Sequence, residues 1–380
     1  MNRSVATGAA VRRVLLTADT VGGVWTYAVE LARALNHGGV AVELATMGAA
    51  LTPAQRAAAA ALPHTRVHES TWRLEWMEEP WDDIDRAGEW LLEIAARTRP
   101  DVVHLNQYAF GALPWTAPVL VAGHSCVCSW WEAVHGAPPP AEWERYRSAV
   151  RRGIHGADLV VTPSRTMLDA LERHYGAPLA SRVILNGRDP ARFPPLPKRD
   201  ALVGLGRLWD PAKNAAALAA AAPGIPWPVR VAGPTVGPDG SREAPPNVEL
   251  LGVLDETAIA AELGRAAIAV LPARYEPFGL AALEAALAGC ALVLGDIPSQ
   301  REIWNGAAVF VPPDDPAFLS AATRDLCHDT ARRARLARLA RRRALRLSAG
   351  RMARSYLDAY AGLAGAPTTT PARETTACAS

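Results

Sequence analysis

Lysine is nearly missing from this chain. Of its 40 basic residues only Lys198 and Lys213 are lysines, and the rest are arginines. An ammonium is a compact point charge and a guanidinium a planar fork, so the two remaining lysines draw attention. Cysteine is sparse and odd in number: Cys126, Cys128, Cys290, Cys327 and Cys378. Cys126-Val127-Cys128 has one intervening residue where a zinc knuckle has two to four, so reduced thiols are expected rather than a metal or disulfide framework. No apolar run approaches the roughly 18 residues of a membrane span, and the N-terminus lacks an apolar signal region. A cytoplasmic protein is the expectation. No Gly-x-Gly-x-x-Gly follows the first expected strand; the chain has Asp19-Thr20-Val21-Gly22-Gly23-Val24 there, which sets a dinucleotide-dependent oxidoreductase well behind. No Asp-x-Asp stands at a strand end, and Asp82-Asp83 and Asp314-Asp315 read as solvated surface, so no metal site is expected. A net charge of +2 over 380 residues gives no case for nucleic-acid binding.

What the chain does have is alternation. Half of it is apolar, and its length suits two domains. Short β-branched runs at 13–18, 40–46, 101–105, 119–122, 159–162 and 183–185 read as strands. Between the first two, Val24, Tyr27, Ala28, Leu31 and Leu35 fall on one helical face. Repeated βαβ units imply a parallel sheet covered on both sides. A proline-rich stretch, 193–200, is the expected hinge. The rhythm then restarts, with strands expected at 202–205, 229–232, 248–251, 267–271, 291–294 and 308–311. The fold class is therefore α/β, two tandem Rossmann-like domains facing across a cleft: 1–195 and 196–345. An arginine-rich helix over 329–347 reads as a solvated face, with a peripheral contact to the inner membrane face as the alternative. A helix within 346–364 is expected to pack back toward the first domain, and 365–380 reads as a flexible tail.

Two glutamates carry the chemistry. Glu276-Pro277-Phe278-Gly279-Leu280 opens a segment that ends in Glu284, directly after the apolar run 267–271. Strand, glycine turn and helix start make an anion site, because the N–H groups of Gly279, Leu280 and Ala281 have no helical partner. The carboxylates flank that site, one on the loop and the other expected about two turns up the helix. Carboxylates repel phosphates and suit hydroxyls. A phosphate between two polyols describes a nucleotide sugar. Arg207 and Lys213, after the first strand of the second half, suit a diphosphate, although each taken alone is equally an ordinary surface charge.

Residues 12–345 resemble a family 4 glycosyltransferase of the GT-B fold. The matching segments are Val21-Gly22-Gly23-Val24, His124, Thr162-Pro163-Ser164, Asn186-Gly187, Gly206-Arg207 with Lys213-Asn214, Glu276 to Glu284, and Ile297-Pro298 with Glu302-Ile303. The resemblance implies an acceptor-side first domain and a donor-binding second domain. It implies that Arg207 and Lys213 hold the donor diphosphate, Glu276 the donor sugar and Glu284 the ribose. Gly279, Leu280 and the Phe278 turn would cap the phosphates, and Gly22 and Gly23 would close over them. His124 would lie near the reacting sugar, and Gly233 and Val253 would face the base. Two departures stand out: Arg188 where the family often has valine or isoleucine, and Asn214 where glycine is frequent.

The expected catalytic set is thus His124, Arg207, Lys213 and Glu276. The expected reaction is hexosyl transfer from a UDP- or GDP-sugar, UDP favoured, to the hydroxyl of a glycan, lipid-linked sugar or small molecule. It needs no cofactor beyond the donor. The family implies retention of configuration. No carboxylate is placed as a nucleophile, so front-face attack is expected, with the leaving phosphate taking the proton. A non-catalytic sugar-nucleotide scaffold is the alternative. Trp130, Trp131, Glu132 and His135 read as an aromatic, polar loop, and its tryptophans, with Trp72, Trp76 and Trp81, either stack on an acceptor or fill the core.

Overall fold

The computed structural model describes residues 11–365 apart from 238, 239 and 241. Two parallel sheets organise it. The first holds β1 (Arg13–Asp19), β2 (Ala41–Met47), β3 (Thr65–Glu69), β4 (Val102–Leu105), β5 (Val119–Ala122), β6 (Leu159–Thr162) and β7 (Ser181–Val183), in the order β3-β2-β1-β4-β5-β6-β7. The second holds β8 (Arg199–Leu205), β9 (Val229–Ala232), β10 (Glu249–Gly252), β11 (Ala266–Leu271), β12 (Ala291–Gly295) and β13 (Val309–Val311), in the order β10-β9-β8-β11-β12-β13. The central strands are apolar along nearly their whole length because helices cover both faces. In each sheet the order reverses beside the first strand, between β1 and β4 and between β8 and β11. A crevice opens at such a switch point, outside the carboxyl ends of the strands.

Three expectations shift. The strand expected at 183–185 is Ser181–Val183. Thr65–Glu69 is an additional strand at the sheet edge. The passage between the sheets lies upstream of the proline-rich stretch: Phe193 is already fully buried in the core of the second sheet, and Leu196 N–H bonds Gly264 O at 3.1 Å. The chain crosses back beside this passage. Arg188 and Ser348 form an isolated bridge, and a Cβ on Gly187 would lie 2.3 Å from Ser348 O.

After the return, the helix Ala349–Gly365 lays Met352, Ala353, Tyr356, Ala359 and Tyr360 into the core of the first sheet. The arginine-rich helix spans Thr330–Ala344. Arg333, Arg341 and Arg343 are engaged there, donating to carbonyls of Leu326, Cys327, Leu287, Ile303 and Asn305. The expected tail lies outside the described residues apart from Gly365, which ends the last helix. Among the described residues no helix is long and apolar enough to cross a membrane.

Candidate active site

The loop after β8 carries both cations, and they reach different partners. Asp210 is 2 % exposed; it accepts Ala212 N–H at 3.0 Å and turns the chain into the single turn Pro211–Lys213. The same carboxylate takes Arg207 Nη2 at 2.6 Å. Lys213 points to the next loop, where its Nζ donates to Glu276 Oε2 at 2.6 Å. Asn214 adopts φ 58°, a left-handed conformation that asparagine tolerates better than most residues. Its side-chain amide ties Pro272 O at 2.9 Å to Pro313 O at 2.7 Å. That geometry accounts for asparagine at a position where glycine is frequent.

The loop after β11 is held from behind. Ser299 Oγ donates to Glu276 O at 2.5 Å, and Gln300 Nε2 donates to Phe278 O at 3.0 Å. The Phe278 side chain is 3 % exposed and belongs to the second core, so only its backbone is available to a ligand. Gly279, at φ 93°, caps the helix Leu280–Leu287. Glu284 is the fifth residue of that helix, so it sits a little over one turn up rather than two. Lys213, Glu276, Gly279, Ala281 and Gln300 line one cavity over the ends of β8, β9 and β11. Gly233 lies beside it; a Cβ there would fall 1.7 Å from Gly206 O. Val253, just past β10, is 75 % exposed.

The first domain faces this cavity. Gly22, at φ 89°, caps the helix Gly23–His37, and a Cβ on it would lie 2.9 Å from Arg207 Nη1. A Cβ on Gly23 would lie 3.8 Å from Leu280 Cδ1. His124 follows β5 and lies 2.8 Å from Asn106 Oδ1 through Nε2. An amide oxygen only accepts, so Nε2 carries the proton and Nδ1 is left as an acceptor. Burial pushes the His124 pKa down to about 4, which keeps the ring neutral. Tyr27 packs edge-on against it at 4.3 Å.

Several cleft residues were not legible in the sequence. Asp19 ends β1, and burial, then the Glu75 charge, raise its pKa to about 8. Burial also lifts Glu75, to about 7. Gln107, 3 % exposed, has no hydrogen-bond partner for either amide atom among the described residues. The domains are stitched by Trp130 Nε1 to Asp210 at 3.2 Å, Ser129 Oγ to Tyr275 OH at 2.7 Å and Ser164 Oγ to Pro277 O at 2.7 Å. Glu302 accepts Arg165 N–H at 2.7 Å, Thr166 N–H at 3.0 Å and Thr166 Oγ at 2.8 Å, capping the helix Arg165–Tyr175 across the cleft. The segment expected as an aromatic loop is the helix Val127–His135, and Trp72, Trp76 and Trp81 pack on the first core.

The sequence profile of Glycosyltransferase Family 4 matches residues 21–192, and that of Glycosyl transferases group 1 matches residues 199–329. The chain belongs to the family 4 glycosyltransferases. The glycogen synthase of Mycobacterium tuberculosis is 31 % identical over 272 residues, a match spanning 64 % of each protein. The fold is GT-B. Sucrose-phosphate synthase of Thermosynechococcus elongatus superposes with a TM-score of 0.78 at 20 % identity, over 93 % of this chain and 99 % of that one. Anabaena HepE in complex with UDP and glucose gives 0.71 at 15 % identity, over 93 % and 100 %.

Proposed function

We propose that this protein transfers a hexosyl group from a nucleoside-diphosphate sugar, a UDP-sugar in preference to a GDP-sugar, to an acceptor hydroxyl. The observation that carries the reading is the convergence on one cavity of Lys213, Glu276 and the open amides after Gly279, with Arg207 reaching Gly22 of the other domain. HepE, of the same fold, is described with UDP, UDP-glucose and glucose, which supports a uridine donor here.

In this reading Arg207, Lys213 and the amides of Leu280 and Ala281 take the diphosphate, and Glu276 meets hydroxyls of the donor sugar. The bond from the anomeric carbon to the β-phosphate oxygen breaks, and negative charge grows on that phosphate. Preorganised donors of this kind lower a barrier by about 2.7–4 kcal/mol each. The acceptor oxygen bonds the anomeric carbon from the same face. Its proton passes to the leaving phosphate oxygen, and configuration is retained. Protein cations serve where a divalent metal otherwise would, so transfer proceeds in EDTA. His124, neutral with Nδ1 free to accept, orients a hydroxyl of the transferred sugar. The acceptor lies over the carboxyl edge of the first sheet, and the reaction takes place in the cytoplasm.

A thermal-shift screen with UDP, GDP and ADP tests the donor. A ligand at 100 times its dissociation constant stabilises by about 2.7 kcal/mol. UDP is expected to give the largest shift, and the absence of any shift refutes the site. Glu276→Ala and Lys213→Ala should each lower turnover about 100-fold or more while the melting temperature holds. Wild-type protein that binds UDP yet transfers nothing to any acceptor would make it a scaffold. An inverted product would end the front-face mechanism.

A further inference from the structure

Arg188, the residue at which the chain departs from its family's usual aliphatic choice, is an enclosed charge at the molecule's hinge. It is 2 % exposed. Its backbone is clamped between the two passages of the chain: Arg188 N–H bonds Leu347 O at 3.1 Å, and Ala349 N–H bonds Arg188 O at 3.2 Å. Its guanidinium lies over the Phe193 ring at 5.0 Å and faces three carboxylates. Nη1 reaches Glu30 at 2.5 Å, Nη2 reaches Glu256 at 2.7 Å, and Nε lies 2.9 Å from Glu284 Oε1. Arg33 sits 3.4 Å from Glu30, Arg192 pairs with Glu256, and Glu30 also accepts Asp189 N–H at 3.0 Å. Three guanidinium groups thus balance three carboxylates.

The carboxylates come from three different helices. Glu30 belongs to Gly23–His37, Glu256 to Glu256–Arg265 and Glu284 to Leu280–Leu287. The first and last of these start at the two glycine turns that face each other across the cleft. One fork therefore fixes both lips of the donor cavity. An aliphatic side chain at 188 would leave three carboxylates close together without a central cation, and such charges relieve themselves by moving apart or by taking up protons.

We propose that Arg188 is a positioning residue for donor recognition: by clamping Glu284 it sets the discrimination between ribose and deoxyribose donors. This rests on the reading that Glu284 meets the ribose. One Glu284 oxygen is held 2.9 Å from Arg188 Nε by charge rather than by an aligned hydrogen bond, which anchors that end of the carboxylate. A ribose diol then meets an acceptor already oriented, and a 2′-deoxy sugar forfeits that bond.

The test measures calorimetric affinity for the tightest-binding diphosphate among UDP, GDP and ADP, and for its 2′-deoxy form. The proteins are wild type, R188M, R188K and E284Q. Wild type is expected to prefer the ribose form about tenfold. R188M and E284Q should bring the ratio to within about twofold, the loss falling on the ribose form, and R188K should keep an intermediate ratio. Should R188M fail to fold, R188M/E30Q/E256Q carries the same measurement with the other two carboxylates neutralised. A wild-type ratio retained in the folded Arg188 variants, with E284Q losing it, overturns the inference and leaves the ribose reading standing. No preference in the wild type overturns both.

Discussion

Glu302→Ala removes a clasp that joins the domains without touching the donor cavity. The carboxylate accepts three hydrogen bonds from the start of the helix Arg165–Tyr175. At about 1 kcal/mol each, halved because Glu302 is exposed to water, they contribute about 1.5 kcal/mol. Helix capping gives a similar figure: about 1 kcal/mol for the cap and a few tenths more for a negative charge at the helix dipole. About 1.5 kcal/mol is roughly a tenfold change in an equilibrium constant. The affected equilibrium is opening of the cleft, not unfolding, because the freed amides of Arg165 and Thr166 gain water. Small-angle scattering of the E302A protein should give a larger radius of gyration than wild type, and UDP should restore the compact value. The apparent dissociation constant for UDP should rise by up to about tenfold, since only the closed fraction places Gly22 beside Arg207. E302Q, which keeps one acceptor oxygen, should fall between. Superimposable scattering curves with UDP affinities within twofold of wild type would refute the clasp.

Two further outcomes follow from the cleft. Gly22→Ala places a Cβ 2.9 Å from Arg207 Nη1 at φ 89°, so UDP affinity should drop about tenfold from about 1–2 kcal/mol of backbone strain and displaced guanidinium; Gly23→Ala, whose Cβ meets only Leu280 Cδ1 at 3.8 Å, should cost less in the same calorimetric titration. Asp19, raised to about 8 by burial first, is neutral at pH 7 and ionises as pH rises through that value, adding a negative charge near Arg207. Diphosphate binding should therefore weaken from pH 7 to pH 9, and D19N should flatten the profile.

The sheets were legible because their strands are apolar runs with buried faces, such as Ala-Ala-Ile-Ala-Val-Leu in β11. Thr65–Glu69 escaped because Thr-Arg-Val-His-Glu holds one apolar residue and its side chains are only partly covered, as an edge strand allows. The anion turn at Gly279 was visible as a local pattern. Its partners were not. Trp130 and Asp210 lie 80 residues apart and Thr166 and Glu302 lie 136 apart, and no spacing rule connects them. The tryptophan helix looked like a loop because its apolar residues are bulky and mixed with polar ones. Arg188 showed only as a departure, since its meaning depends on three helices meeting at the hinge.

The motif glutamates share one short segment but sit in opposite electrostatic settings, and this decides what each can do when a donor arrives. Glu276 and Lys213 are each a little over one-fifth exposed. A pair still partly open to water holds its partners less firmly than an enclosed one, so it is given up at smaller cost. In the proposed reading an arriving diphosphate takes Lys213, and the released Glu276 oxygen turns to a sugar hydroxyl. Glu284 and Arg188 are enclosed, and breaking such a pair by removing one partner costs about 3–5 kcal/mol. Donor binding cannot recover that from one hydroxyl, whose hydrogen bond to a charged group contributes about 1.5–3 kcal/mol. In the same reading Glu284 keeps its cation and would receive the ribose in a fixed orientation. The mobile carboxylate suits the end of the donor that must change during transfer, and the immobile one suits the end that must not.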